Sequence, residues 1–140
     1  MNYWIFKCNP DHYRLDARLA DPEPRTTWSI SRYRERVQAD DVAFIWQTGK
    51  HRGIRATIRI DSSPQDMPEI ESEQKFQVSP DLSVACRVYA TILRRDLDTP
   101  AAELRAISGL EGLSVFHGFQ QTTVFKVTPK EAAILMRVIK

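Results

Sequence analysis

The chain has 140 residues, 42% of them hydrophobic, and 20 Lys/Arg against 18 Asp/Glu give a net charge of +2. That length supports one domain spanning residues 1–140 with a real core, and no apolar run approaches the ~20 residues of a membrane span. The N-terminus carries no signal-peptide pattern and Cys8 and Cys86 have no paired spacing, so a cytoplasmic chain with two small buried thiols is expected rather than a disulfide framework.

Residues 2–8 (NYWIFKC) are mostly aromatic and aliphatic, with no turn residue inside, and predict a buried strand. Asn9 and Pro10 end it, because proline cannot extend a ladder. A carboxamide at a strand end offers one acceptor and two donors, which suits the edge of a nucleobase; it also suits an Asx-turn that stops the strand. Trp28 lies in a polar stretch, RTTWSIS at 25–31, without apolar periodicity around it. It is either a stacking platform for a base or a largely buried aromatic, and Ser29 beside it could supply a hydrogen bond. Residues 31–36 (SRYRER) predict a helical turn with Arg32 and Arg36 on one face.

Val42, Phe44 and Trp46 share one face of the next strand, Thr48–His51 make a turn, and Ile54–Ile60 return as a second strand alternating with Arg55, Thr57 and Arg59. Trp46 is then core, or the inner wall of a pocket at the strand's end. Residues 62–73 combine prolines and carboxylates without periodicity and predict a solvated loop. Ser83–Leu93 predict a long strand, and Thr99 and Pro100 open a short helix through Leu104 and Ile107. Thr128, Pro129 and Glu131 form a capping box at the start of a final helix whose buried stripe is Ala132, Leu135, Met136 and Ile139.

The modest net charge hides an uneven distribution. Residues 1–60 carry +4, residues 61–82 carry −5 and residues 83–140 carry +3. The acidic middle masks a basic remainder, in which Arg32, Arg36, Lys50, His51, Arg52 and Arg55 either rim a pocket and hold phosphates or form ordinary charged surface.

Three segments taken together, NYWIFKCNP at 2–10, the Trp28–Ser29 pair and VAFIWQTGKHRGI at 42–54, resemble the EVE domain, a PUA-like fold related to the YTH readers of methylated adenine in RNA. The resemblance covers essentially the whole chain, and GFQQTTVFKV at 118–127 is similar to the family's last strand and the Gln-rich loop ahead of it. It implies an α+β fold, a PUA-like curved β-sheet or pseudobarrel flanked by α-helices. It also implies a function: a non-catalytic module that binds nucleic acid and takes a modified, methylated base into an aromatic pocket by base flipping. The roles that follow from it are modified-base contacts for Asn9, Trp28, Ser29 and Trp46. A base or sugar contact falls to Gln120 and Gln121, while the charge pattern, not the resemblance, gives backbone contacts to Arg32, Arg36, Lys50 and Arg52. The partner is DNA first and RNA second, with sensing or restriction of modified DNA as the setting.

His12, His51 and His117 lack metal-ligand spacing among themselves or with the cysteines, and no phosphate loop or nucleophile elbow is present, so neither metal nor cofactor is expected. Two other functions remain open at this stage. One is a PUA-like RNA-binding module in RNA modification or processing. The other is a small nucleotide-acting enzyme using Cys8 with His12 or His117.

Overall fold

Residues Trp4–Phe6 and Val42–Trp46 are apolar at every position, and a strand with that composition must bury both of its faces. In the computed structural model, which describes residues 1–79, 83–119 and 121–140, they form neighbouring strands at the middle of one mixed sheet. Eight strands and five helices form among the described residues. In chain order they are β1 (Tyr3–Cys8), α1 (Leu15–Ala20), β2 (Arg25–Ser29), β3 (Val42–Gln47), β4 (Gly53–Ile60), β5 (Gln65–Met67) and α2 (Glu71–Gln74). There follow β6 (Ala85–Arg94), β7 (Thr99–Pro100), α3 (Ala101–Arg105), α4 (Ser114–His117), β8 (Val124–Val127) and α5 (Pro129–Val138). The architecture is α+β, as the sequence predicts, and no described helix is long and apolar enough to cross a membrane.

The strand order is β2-β6-β4-β3-β1-β8, with β5 added to β6 and β7 added to β4. Only β1 and β3 run parallel, in register from Tyr3 opposite Val42 to Cys8 opposite Gln47. The buried carboxylate of Asp41 holds the start of that pair. It accepts from the backbone of Asn2 at 2.8 Å, from Trp4 Nε1 at 2.9 Å and from the backbone of Gln38 at 3.0 Å. Register shifts lie between Ile45 and Trp46 and between Thr57 and Ile58, the kind of irregularity that bends a sheet. The two ends of the sheet consequently approach each other. Ser31, just beyond β2, and Thr123, just before β8, share a hydroxyl hydrogen bond of 3.1 Å.

Alternation along the central strands sorts side chains into two cores. Phe6, Ala43, Ile45, Ile58 and Val88 pack on one side, with Trp28 and Tyr33 partly buried against them. Ile5, Phe44, Trp46, Leu104, Phe125 and Leu135 pack on the other, under α3 and α5. Cys8 and Cys86 are free and buried, as expected.

Several local expectations change. Trp28 stands in a strand, because β2 pairs with β6 from Arg25 opposite Thr91 to Ser29 opposite Arg87. Residues 31–36 form an irregular turn, with Tyr33 at φ 60°, instead of a helical one. Residues 62–73 are no solvated loop: they supply β5 and α2, and Glu69 and Glu73 are buried. Glu73 is neutralised by Arg18, which donates from Nε at 2.7 Å. Thr99 and Pro100 form β7, and the helix begins one residue later. The capping box of α5 is present in both directions, but its stripe runs through Ala132, Leu135 and Ile139 while Met136 faces solvent at 50% exposure.

Candidate nucleic-acid interface

β1 stops where its sequence stops being apolar. Asn9 Oδ1 accepts from the backbone of Asp11 at 2.9 Å, and the Asn9 carbonyl accepts from the backbones of His12 and Tyr13 at 3.0 and 3.1 Å. The Asx-turn is therefore real, and it leaves the carboxamide exposed at the strand end. The chain turns back so that Tyr13 is buried beneath the end of β2. There Trp28, half-buried, meets it edge-on, and Ser29 is exposed beside it.

Between these two strand ends lies a cavity of about 170 Å³, lined by Asn9, Tyr13, Thr27, Trp28, Ser29, Glu69, Gln77 and Arg87, with Lys7, Cys8 and His12 at its side. Its aromatic part is Trp28 backed by Tyr13. Tyr13 is fixed in turn by its hydroxyl, which donates to Glu73 Oε2 at 2.6 Å. Its polar part is held from elsewhere in the chain. Gln77 Nε2 donates to both Glu69 oxygens at 3.1 Å, and Arg87 Nη1 donates to the Met67 carbonyl at 2.6 Å. Thr27 Oγ1 stands out: the residue is 4% exposed, yet the hydroxyl has no hydrogen-bond partner among the described residues. A buried hydroxyl without a partner costs roughly 1–3 kcal/mol, which a ligand could recover.

Burial pushes the Cys8 thiol up to about 12, with Arg55 opposing the shift. Tyr13 is also raised, by burial first and then by the neighbouring Glu73 carboxylate. Lys7 is lowered, by burial first and then by the like charge of Arg52.

Two clefts adjoin the cavity. One, of about 830 Å³, shares Lys7, Asn9 and His12 with it and is further lined by Trp46, Arg52, Arg105, Phe116, Gln121 and Thr123, among others. The other, of about 560 Å³, shares Ser29 and is lined by Ser31, Arg34, Asp66 and Thr123.

Asn9, Trp28 and Ser29 thus come together, from segments twenty residues apart. Trp46 does not join them. It is 3% exposed, lies in the second core on the other side of the sheet, and packs edge-on against Phe116 with ring centroids 5.7 Å apart. It reaches only the wall of the larger cleft. Gln121 lines that cleft, as Asn9 does, and Gln120 lies outside the described residues. Arg32 and Arg36 both stack over the Tyr33 ring, at 5.2 and 5.8 Å, and line neither the cavity nor the adjoining clefts. Lys50 and Arg52 line a further cleft of about 700 Å³, and Arg52 also reaches the larger one beside the cavity. Arg55 is tied inward by Leu97, Gln47 and Asp16.

Sequence reasoning missed Tyr13, Thr27, Glu69, Gln77 and Arg87. Thr27 could have been found from its adjacency to Trp28, whereas Glu69, Gln77 and Arg87 carry no local signal.

A family model of the EVE domain matches residues 2–138. The chain belongs to the EVE domain family. Solved structures of similar fold include human THYN1 in complex with DNA containing 5-methylcytosine, at 17% identity and a TM-score of 0.68, covering 99% of this chain and 97% of that one. The protein Atu2648 from Agrobacterium tumefaciens is similar at 18% identity and a TM-score of 0.70, with 98% and 92% covered. A more distant likeness is a point mutant of ZmASCH from Zymomonas mobilis, at 8% identity and a TM-score of 0.55, with 99% and 97% covered. At these identities the likeness concerns the fold. No curated protein sequence matches the chain.

Proposed function

We propose that this EVE domain is a non-catalytic DNA-binding module that receives a modified base in the cavity between Asn9 and Trp28. The observation that carries the reading is the composition of that cavity: a half-buried tryptophan, an exposed carboxamide and an exposed hydroxyl converge on a space with an unpartnered buried hydroxyl. Its volume is well below the roughly 300–1,000 Å³ of small-molecule sites, a scale set by one planar ring and not by a cofactor.

In this mechanism the nucleotide leaves the duplex stack at a cost of a few kcal/mol. The base stacks on Trp28, which returns roughly 1–3 kcal/mol. Asn9 Nδ2, Ser29 Oγ and Thr27 Oγ1 supply donors and acceptors to its edge, and the added methyl displaces water from apolar surface, worth about 1 kcal/mol per buried carbon. Stacking and edge contacts together are needed, because one methyl alone discriminates weakly. That THYN1, similar in fold, is complexed with DNA containing 5-methylcytosine favours DNA over RNA as the partner and a methylated pyrimidine as a first ligand to try. Sensing of modified DNA is the role that follows. A thiol pushed up to about 12 is the reverse of an activated nucleophile, which favours binding over catalysis at Cys8.

Titration of the protein with duplexes that differ only in one modified base tests the proposal. Tighter binding to at least one modified duplex, lost in Trp28→Ala, is expected. Equal affinity for every duplex, or discrimination that survives that substitution, would overturn it.

A further inference from the structure

Some of the cations that line cavities are already paired. Arg18 pairs with Glu73, Arg34 lies 4.0 Å from Asp66 and Arg55 pairs with Asp16. Lys7, Arg52 and Arg105 differ: all three line the roughly 830 Å³ cleft beside the cavity, and none makes an ion pair among the described residues. Among the described residues, Asp11 is the one carboxylate that lines that cleft.

Two of the three are also held in place. Lys7 Nζ lies 5.1 Å from the centroid of Phe125, and the Arg105 guanidinium lies 4.7 Å from that of Phe116, so aromatic faces fix two of the three cations. Like charges gathered around one cleft with a single carboxylate repel one another. The pKa of Lys7, lowered first by burial, is lowered further by that repulsion from Arg52. An anion entering the cleft would relieve it. The cleft shares Lys7, Asn9 and His12 with the cavity, and it shares Arg52 and Arg105 with the cleft that holds Lys50.

We propose that the phosphodiester backbone on one side of the bound nucleotide runs from the cavity across Lys7, Arg52 and Arg105. The proposal deepens the base-binding reading and rests on it for the position of the nucleotide. It moves the backbone track away from Arg32 and Arg36, which are stacked on Tyr33. The exit past Ser29 is the weaker route, because Arg34 there already faces Asp66 at 4.0 Å.

The test is a salt titration of duplex binding between 0.1 and 1 M, comparing wild type with K7Q/R52Q/R105Q and with R32Q/R36Q, using one modified duplex and its unmodified counterpart. Each phosphate contact adds about 0.7–0.9 to the slope of log K against log salt. The triple variant should therefore lose about two to three from the slope on both duplexes. That corresponds to at least ~100-fold weaker binding at 0.1 M, relative to 1 M. Single variants should each lose about one contact, R52K/R105K should keep the slope, and R32Q/R36Q should leave it unchanged. A triple variant with the wild-type slope, or a slope that falls instead in R32Q/R36Q, would overturn the track. The base-binding reading fails separately, if wild type does not distinguish the two duplexes; the slope comparison still decides the track in that case.

Discussion

Trp28 and Tyr13 meet edge to face, with ring centroids 5.8 Å apart and planes inclined at 70°. The contact fixes the orientation of the one large aromatic surface that the cavity offers. It also ties the cavity to the interior, since Tyr13 donates to Glu73 and Glu73 accepts from Arg18. A base stacked on Trp28 thus rests on a ring that cannot rotate freely.

Trp28→Ala should weaken binding of a modified duplex by roughly 1–3 kcal/mol, a factor of about 5–150, and remove discrimination. Because the ring packs on the first core as well as on Tyr13, the melting temperature should also fall, by about 5 °C for a loss of 1–2 kcal/mol. Trp28→Phe separates the two effects: calorimetry should show most of the stability retained, and titration should show an intermediate affinity.

Asn9 serves the turn with its oxygen, which leaves its amide nitrogen for a ligand. Asn9→Asp keeps the acceptor for Asp11 and removes the donors, so the melting temperature should hold while affinity drops by roughly 1–3 kcal/mol. Asn9→Ala should lower both. If Asn9→Asp bound as tightly as wild type, the carboxamide would have no part in edge reading.

Thr27→Val removes a hydroxyl that is buried without a partner and keeps the side-chain shape. The variant should be as stable as wild type, or more stable by about 1 kcal/mol, and should bind the modified duplex less tightly. Loss of stability with unchanged binding would assign the hydroxyl to the fold.

The raised Cys8 thiol gives an alkaline signature. A group whose folded value lies above its unfolded value holds its proton longer in the folded state. Stability is therefore full below the unfolded value of 9.0 and declines as pH climbs from there toward about 12. The slope contributed by this one group reaches roughly 1.4 kcal/mol per pH unit, and Tyr13, raised as well, steepens the decline above its usual value of 10.0. Denaturant melts at pH 8 and pH 10.5 should show the fall, and Cys8→Ala should flatten it. Iodoacetamide at pH 8 should label Cys8 much more slowly than a free thiol.

What the sequence disclosed depended on how local each determinant is. The capping box needs only Thr128, Pro129 and Glu131, and it is present in full. Strands β1 and β3 were legible from their apolar runs, and β4 from its alternation of apolar and polar residues. β2 was not, because Thr26 and Thr27 are buried by pairing with a strand sixty residues away, which no local pattern reports. Glu69 and Glu73 looked solvated for the same reason: the arginine that neutralises Glu73 is Arg18, on α1. At the site, Asn9, Trp28 and Ser29 were visible as types in the right order. Trp46 shared their chemistry but sits on the opposite side of the sheet, a distinction made by the strand's alternation once both faces of β3 prove to be buried.

The strand that leads into Asn9 has neighbours of very different ages. On one edge it meets β3, and on the other it meets β8, paired from Tyr3 opposite Val127 to Phe6 opposite Val124. On the ribosome, β1 gains its first neighbour when Val42–Gln47 emerge and its second only when Val124–Val127 do. At about 5–20 residues per second that interval is on the order of ten seconds. During it the outer edge of β1 stands open, and Thr123, which joins Ser31 beside the cavity, has yet to emerge. A nascent chain that has emerged past Arg87 therefore carries every described residue that lines the cavity, but not yet the strand that closes the outer edge of β1.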